Sequence, residues 1–158
     1  MGGGVITLIR IKLLVSDARY DEIERELVSK GFVIDEDSDL ILTEKDLFVN
    51  HLIVRSNLEN ERIRISTDEI IVIESFGHDI VIHSAQGKFK ASERLYQLER
   101  LLNPEQFLRI SNSVIIARNK IKRITPALTS KFVLIMSNGQ TVDVTRSYYG
   151  IFKDRLGI

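Results

Sequence analysis

The stretch Phe107-Leu-Arg-Ile-Ser-Asn-Ser-Val-Ile-Ile-Ala-Arg-Asn-Lys-Ile-Lys-Arg-Ile124 decides the fold of the larger part of this chain. Two apolar runs, Phe107–Ile110 and Val114–Ile116, flank Ser111-Asn112-Ser113. A third, Ile121–Ile124, follows the basic segment Arg118-Asn119-Lys120. Runs this short, rich in isoleucine and separated by turn-forming polar residues, read as antiparallel strands rather than as helix. The same texture continues outward. Upstream lie His51–Arg55, Arg62–Ile65, Ile70–Glu74, Asp79–His83 and Lys88–Ala91, with Gln86-Gly87 as a hairpin turn between the last two. Downstream, Lys131–Met136 and Thr141–Thr145 enclose Asn138-Gly139, the strongest hairpin signal in the sequence. One helix interrupts the strands: Ser92–Leu102, with Leu95, Leu98, Leu101 and Leu102 as its apolar face and Asn103-Pro104 as its stop. Tyr148–Leu156 reads as a short closing helix.

The front of the chain has a different grammar. Val5–Val15 reads as a strand, Ser16 or Asp17 as an N-cap, and the residues up to Lys30 as a helix whose face is Tyr20, Ile23, Leu27 and Val28. Gly31 stops that helix as its C-cap. Phe32–Ile34 is a short strand, Asp35–Asp39 an acidic turn and Leu40–Thr43 another strand, giving β-α-β-β. A segment of roughly forty residues is too small to be stable without the rest of the chain or a second copy. The fold class is therefore α+β, mainly antiparallel β: a small N-terminal β-α-β-β segment at 1–48, then a multi-strand β domain with one central short helix at 49–158.

Length and composition agree with this division. A chain of 158 residues holds one domain, or one with a small companion. Apolar residues at 44% and charged residues at 28% indicate a water-soluble globule. The formal net charge is zero, yet residues 1–60 carry 7 Lys+Arg against 12 Asp+Glu, and residues 61–158 carry 15 against 10. An acidic front and a basic back point to two functional parts. The absence of cysteine removes disulfides, thiolate metal sites and cysteine nucleophiles. No apolar run approaches the length of a membrane span, and Arg10 and Lys12 break the N-terminal one, so no secretion signal is read and a cytoplasmic location is expected.

Catalytic chemistry is not found. His78 and His83 stand five apart, so on one strand they would face opposite ways, and structural histidines are expected rather than a metal pair. Gly2-Gly3-Gly4 lacks the strand before it and the Gly-Lys-Ser/Thr after it that a phosphate loop needs. The acidic turn lacks the glycine and the terminal glutamate of an EF-hand loop. No Gly-x-Ser-x-Gly elbow surrounds Ser111 or Ser113. Neither an enzyme activity nor a cofactor is expected. The basic residues carry more information: Arg109, Arg118, Lys120, Lys122, Arg123, Lys131 and Arg146 sit at strand ends or in loops, and Asn112 sits between two strands. Arginine and asparagine are the side chains that read guanine and adenine bidentately, while serine, lysine and backbone amides at loop tips contact phosphate.

Ile70-Ile-Val-Ile-Glu-Ser-Phe-Gly-His-Asp-Ile-Val-Ile-His83 resembles the opening strands of a LytTR-type DNA-binding domain, and Phe107–Ile124 resembles the same family's most recognisable segment. The intervening helix, the Asn138-Gly139 hairpin and Val144-Thr-Arg-Ser-Tyr148 follow in the family's order. The resemblance covers about residues 50–158 and leaves out residues 1–48. It implies an elongated, mostly antiparallel β domain of a bacterial transcription regulator that inserts loops into the major groove of double-stranded promoter DNA, often at direct repeats. By that likeness His78, Asn112 and Arg146 match base-reading sites. Arg109, Ser113 and Ser147 match positions that touch phosphate or support a loop. Arg118, Lys120 and Lys131 are candidate backbone contacts on charge alone. The chain departs from the family at Ser111, often histidine, and at Ala117, often asparagine, which leaves base preference open. Residues 1–48 are too short for a receiver domain. A stand-alone regulator is thus implied, with the front segment serving a homodimer or a regulatory partner protein, in some systems a membrane-bound inhibitor. The competing class is a protein-interaction or ligand-sensing module on the same scaffold.

Overall fold

Runs of β-branched residues become strands wherever both of their faces can be buried, and the clearest case is Ile70-Ile-Val-Ile73, all buried in the strand Ile70–Phe76. A computed structural model describes residues 7–56 and 60–158. The chain divides into two units between Leu47 and Phe48.

In the first unit, β1 (Arg10–Leu14) is followed by α1 (Asp17–Ser29), β2 (Val33–Ile34) and β3 (Ile41–Thr43). β1 is the middle strand, and both neighbours run parallel to it. Ser16 is the N-cap, and Lys30 takes the C-cap position expected of Gly31, which follows it at φ 90°. A left-handed residue just past the helix end is where glycine costs least. The strand expected over Val5–Val15 is shorter: Thr7–Ile9 are irregular, and Val5, Ile6 and Gly2–Gly4 lie outside the described residues. Tyr20, Ile23 and Leu27 are half-buried, but Val28 is 54% exposed, and α1 buries no residue fully. Val28 thus does not belong to the packed face. Two turns beyond Tyr20, the 3.6-residue period has rotated it away from the sheet.

The second unit begins with the hairpin β4 (His51–Ser56) and β5 (Arg62–Ser66). It continues through β6 (Ile70–Phe76), β7 (Asp79–Ser84), β8 (Gly87–Ala91), α2 (Leu95–Leu101), β9 (Phe107–Ser111) and β10 (Val114–Ala117). These strands form one antiparallel sheet in the order β5-β4-β8-β7-β6-β10-β9. β11 (Ile121–Ala127), β12 (Lys131–Met136) and β13 (Thr141–Val144) make a second, three-stranded sheet, and α3 (Tyr149–Leu156) ends the chain. α2 is shorter than its apolar pattern suggests. Ser92–Arg94 stay outside it, with Arg94 as the N-cap, and Leu101 is 36% exposed while Leu95, Leu98 and Leu102 are buried.

Two cores explain the sequence of β6 and β10. One cluster, under α2, takes Ile70, Ile73, Ile115, Leu95 and Leu98. The other, beneath the three-stranded sheet and α3, takes Ile71, Val72, Ile116, Leu134, Val144 and Phe152. Ile115 and Ile116 point to opposite faces of the sheet, as neighbours on a strand must. The central strands are therefore apolar without alternation, since neither face meets water. β13 meets water on one face and alternates: Val142 and Val144 are buried, Thr141 and Asp143 exposed. Phe132 stacks on Tyr149 with ring centroids 4.8 Å apart, joining the second sheet to α3.

Candidate nucleic-acid interface

Three loops converge at one end of the second unit, and hydrogen bonds to main-chain groups bring them there. The backbone N–H of Ser75, near the end of β6, donates to the Ser113 carbonyl at 2.8 Å. With Glu74 paired to Val114, this places the β6–β7 turn at Gly77-His78 beside the β9–β10 turn at Asn112-Ser113. The Thr145 N–H donates to the Ile110 carbonyl at 2.9 Å, which ties the end of β13 to the end of β9. Arg146–Tyr148 then form a single 3-10 turn leading into α3.

The result is an open groove lined by Asn112, Ser113, Lys131, Asp143, Arg146 and Ser147. Residues far apart in sequence share it because β13 returns alongside β12, opposing Phe132 to Val144 and so setting Lys131 next to the Thr145–Arg146 exit. Asn112, Ser113, Lys131, Arg146 and Ser147 are all exposed. His78 is exposed on the adjoining turn and does not line the groove.

Arg109 has a different place from the other candidates. Its Nε donates to the Ser111 carbonyl at 3.1 Å, one terminal nitrogen to Glu99 at 2.7 Å and the other to the Asn112 carbonyl at 2.7 Å. The guanidinium braces the turn from beneath, and its side chain is 20% exposed. The Tyr148 hydroxyl donates to the Asn112 side-chain oxygen at 3.3 Å, so the Asn112 amide is held from the Arg146–Tyr148 turn as well. Ser113 takes part in the turn itself, its N–H donating to the Ser111 hydroxyl oxygen at 3.2 Å.

Arg118 and Lys120 lie in the single 3-10 turn at the far end of β10, away from the groove. His83 is not grouped with His78. Its Nε2 lies 3.0 Å from the Glu74 carboxylate, whose other oxygen accepts from Gln140 at 2.8 Å. That trio links the β12–β13 hairpin to β6. Among the described residues no set of side chains is arranged to hold a metal ion, and no helix is long and apolar enough to cross a membrane.

Sequence reading missed Asp143 and Tyr148 as parts of this site. A signal for Asp143 exists in the alternation Thr141-Val-Asp-Val144, which puts Asp143 on the exposed face just before Arg146. Nothing local marks Tyr148, whose role depends on a turn 36 residues away.

The profile of the LytTr DNA-binding domain matches residues 60–157. The chain belongs to the LytTr DNA-binding domain family. It is 33% identical over 89 residues to the transcriptional regulatory protein LytR of Staphylococcus aureus strain N315, covering 56% of this chain and 36% of that protein. It is 29% identical over 94 residues to the sensory transduction protein LytT of Enterococcus faecalis, covering 60% and 39%. The chain thus spans little more than a third of the length of these relatives. A solved LytTr DNA-binding domain from Bacillus cereus superposes with a TM-score of 0.66 at 25% identity, covering 70% of this chain and 99% of that one. The LytTr fold is a DNA-binding scaffold and not an enzyme's. The groove lies in loops of this matched region.

Proposed function

We propose that this protein is a sequence-specific transcription regulator of the cytoplasm that presents the β6–β7 turn, the β9–β10 turn and the β13 exit to the major groove of promoter DNA. The observation that carries the reading is the groove itself. Asn112 and Arg146, the two residue types suited to bidentate base recognition, share it with Lys131, Ser113 and Ser147, which suit phosphate. His78 reads bases from the neighbouring turn. Arg109 commits three of its five N–H donors to protein partners, so it reaches phosphate through the remaining two while shaping the turn. Arg118 and Lys120 meet the backbone where a bent duplex follows the sheet along β10.

The first unit serves self-association or docking of a regulatory partner. Leu40, Ile41 and Leu42 are exposed on and beside β3, an edge strand of a parallel sheet, and parallel sheets ordinarily have both faces covered. Substituting Leu42 by Arg is expected to lower the sedimentation mass if this strand joins two copies. An unchanged mass leaves docking of a different protein as the role of this edge.

Selection of bound duplexes from a randomised pool tests the main reading, run near physiological salt with wild type and the Asn112→Ala/Arg146→Ala double variant. Wild type is expected to enrich a motif, often directly repeated, that the double variant does not. Its affinity should fall with salt at a log–log slope of roughly −0.9 per phosphate contacted. Absence of enrichment, or an affinity indifferent to salt, refutes the proposal.

A further inference from the structure

Among the described residues, Asp143 is the one acidic side chain lining the groove, alongside basic and amide groups. β13 is an edge strand of its sheet, and its alternation turns Asp143 outward while Val142 and Val144 enter the core. Register pairs Asp143 with Val133, which sets Lys131 diagonally across from it, on the same face. Such a diagonal leaves about 7–8 Å between strand positions, and no ion pair joins the two. Among the described residues the Asp143 carboxylate has no hydrogen-bond or ion-pair partner. A free carboxylate at this place opposes the field that draws phosphate to Lys131 and Arg146, so it lowers affinity for DNA in general. It also offers an acceptor to the groove. Among the base edges of the major groove, cytosine and adenine each present an amine donor that a carboxylate accepts. Adenine sets its amine beside the N7 acceptor, which repels the second carboxylate oxygen, guanine presents two acceptors, and cytosine alone presents the amine without an acceptor of its own beside it.

We infer that Asp143 is a specificity-determining residue: its carboxylate accepts a hydrogen bond from the exocyclic amine of a cytosine in the bound site and repels phosphate from the middle of the groove. The inference rests on the DNA-reading function proposed above. It gives the groove a definite base preference, and it gives the negative charge a use in rejecting misplaced backbone.

The two effects have opposite signs in Asp143→Ala, which a structural role would not produce. On a random-sequence duplex the variant is expected to bind about two- to fivefold more tightly, the scale of one exposed charge interaction. On the selected site it should lose discrimination at one cytosine by about five- to tenfold. Asp143→Asn separates the effects: its amide oxygen still accepts from an amine but its N–H2 group also donates to adenine N7, so the preference at that position shifts from cytosine towards adenine, while the gain on random DNA matches that of alanine. The contact itself is tested by replacing each cytosine of the selected site in turn with 2-pyrimidinone, which lacks the amine. One replacement should weaken wild type and leave Asp143→Ala unaffected. Asp143 is exposed, so these variants should keep the wild-type melting temperature.

Equal sensitivity of wild type and Asp143→Ala at every cytosine overturns the inference, as does weaker binding of Asp143→Ala to random DNA. Arg146→Ala, measured in parallel, locates the failure. If it loses the selected site while Asp143 couples to no cytosine, Asp143 alone is misassigned. If wild type enriches no site at all, the DNA-reading function falls, and the role of Asp143 falls with it.

Discussion

The Arg109 guanidinium donates to the Asn112 main-chain carbonyl at 2.7 Å, so a side chain rooted in β9 fixes the backbone of the turn whose own side chain faces the groove. The same guanidinium holds the Ser111 carbonyl and the Glu99 carboxylate, which leaves the turn little freedom to reorient. Preorganisation of this kind reduces the ordering cost of binding. Lysine cannot replace it, because an ammonium lacks the planar fork that spans three separated acceptors. Arg109→Lys is therefore expected to lower the stability of the second unit by about 1–2 kcal/mol and to weaken DNA binding even though the charge is kept. Urea unfolding and DNA titration on the same preparation check this; unchanged DNA affinity would show that the turn needs no brace.

Arg146 and Lys131 line the same groove but should fail differently. Arg146→Ala is expected to cost roughly 1–3 kcal/mol on the preferred site and to relax discrimination at one base position. Lys131→Ala should weaken binding to all sequences alike and make the salt slope shallower by about one. A uniform loss for Arg146→Ala would reassign it to phosphate.

Tyr148→Phe removes the hydroxyl that holds the Asn112 oxygen while keeping the ring packed against the second core. The expected outcome is a change of unfolding free energy below about 1 kcal/mol with a loss of base discrimination where Asn112 reads. Motif selection with this variant makes the comparison. A motif identical to wild type's would mean that Asn112 orients itself without help.

In the first unit, the Ser16 N–H and hydroxyl both donate to one Glu44 carboxylate oxygen at 2.9 Å, beside the start of α1. These two hydrogen bonds, the backbone one first, hold the Glu44 carboxyl below the usual carboxylate range. A carboxyl whose pKa is lower folded than unfolded adds stability above the unfolded value and loses it as pH falls through the folded one. The difference between wild type and Glu44→Gln in hydrogen exchange at the first turn of α1 should thus be present near neutral pH and vanish in acid. A difference that persists in acid would falsify the assignment to the ionised carboxylate.

Phe152 is buried where α3 closes the second core, with its ring 5.4 Å from that of Phe132. Phe152→Ala is expected to destabilise the second unit by about 3–5 kcal/mol, read as a shifted urea midpoint. A loss below 1 kcal/mol would mean that α3 is not part of the cooperative unit.

The strands of the second unit are legible in the local pattern of residues. The unbroken apolar run Ile70–Ile73 and the Asn138-Gly139 turn have few other low-energy conformations, because β-branched side chains favour extended backbone and the turn needs a left-handed residue, which Gly139 supplies at φ 83°. The sequence also pointed to Asn112 and Arg146, through residue type and through likeness to a family. Tertiary structure alone decided which of these residues meet. Asn112, Lys131, Asp143 and Arg146 share a groove only because the Thr145 N–H reaches the Ile110 carbonyl and β13 returns antiparallel to β12. Local pattern does not encode such pairings, since they are selected by the burial of two cores together. For the same reason the sequence could not distinguish Arg109, turned inward to brace a loop, from Arg146, left free to face the groove. Both are arginines in or just beyond a strand, and only the neighbours that the fold supplies make one a support and leave the other facing the groove.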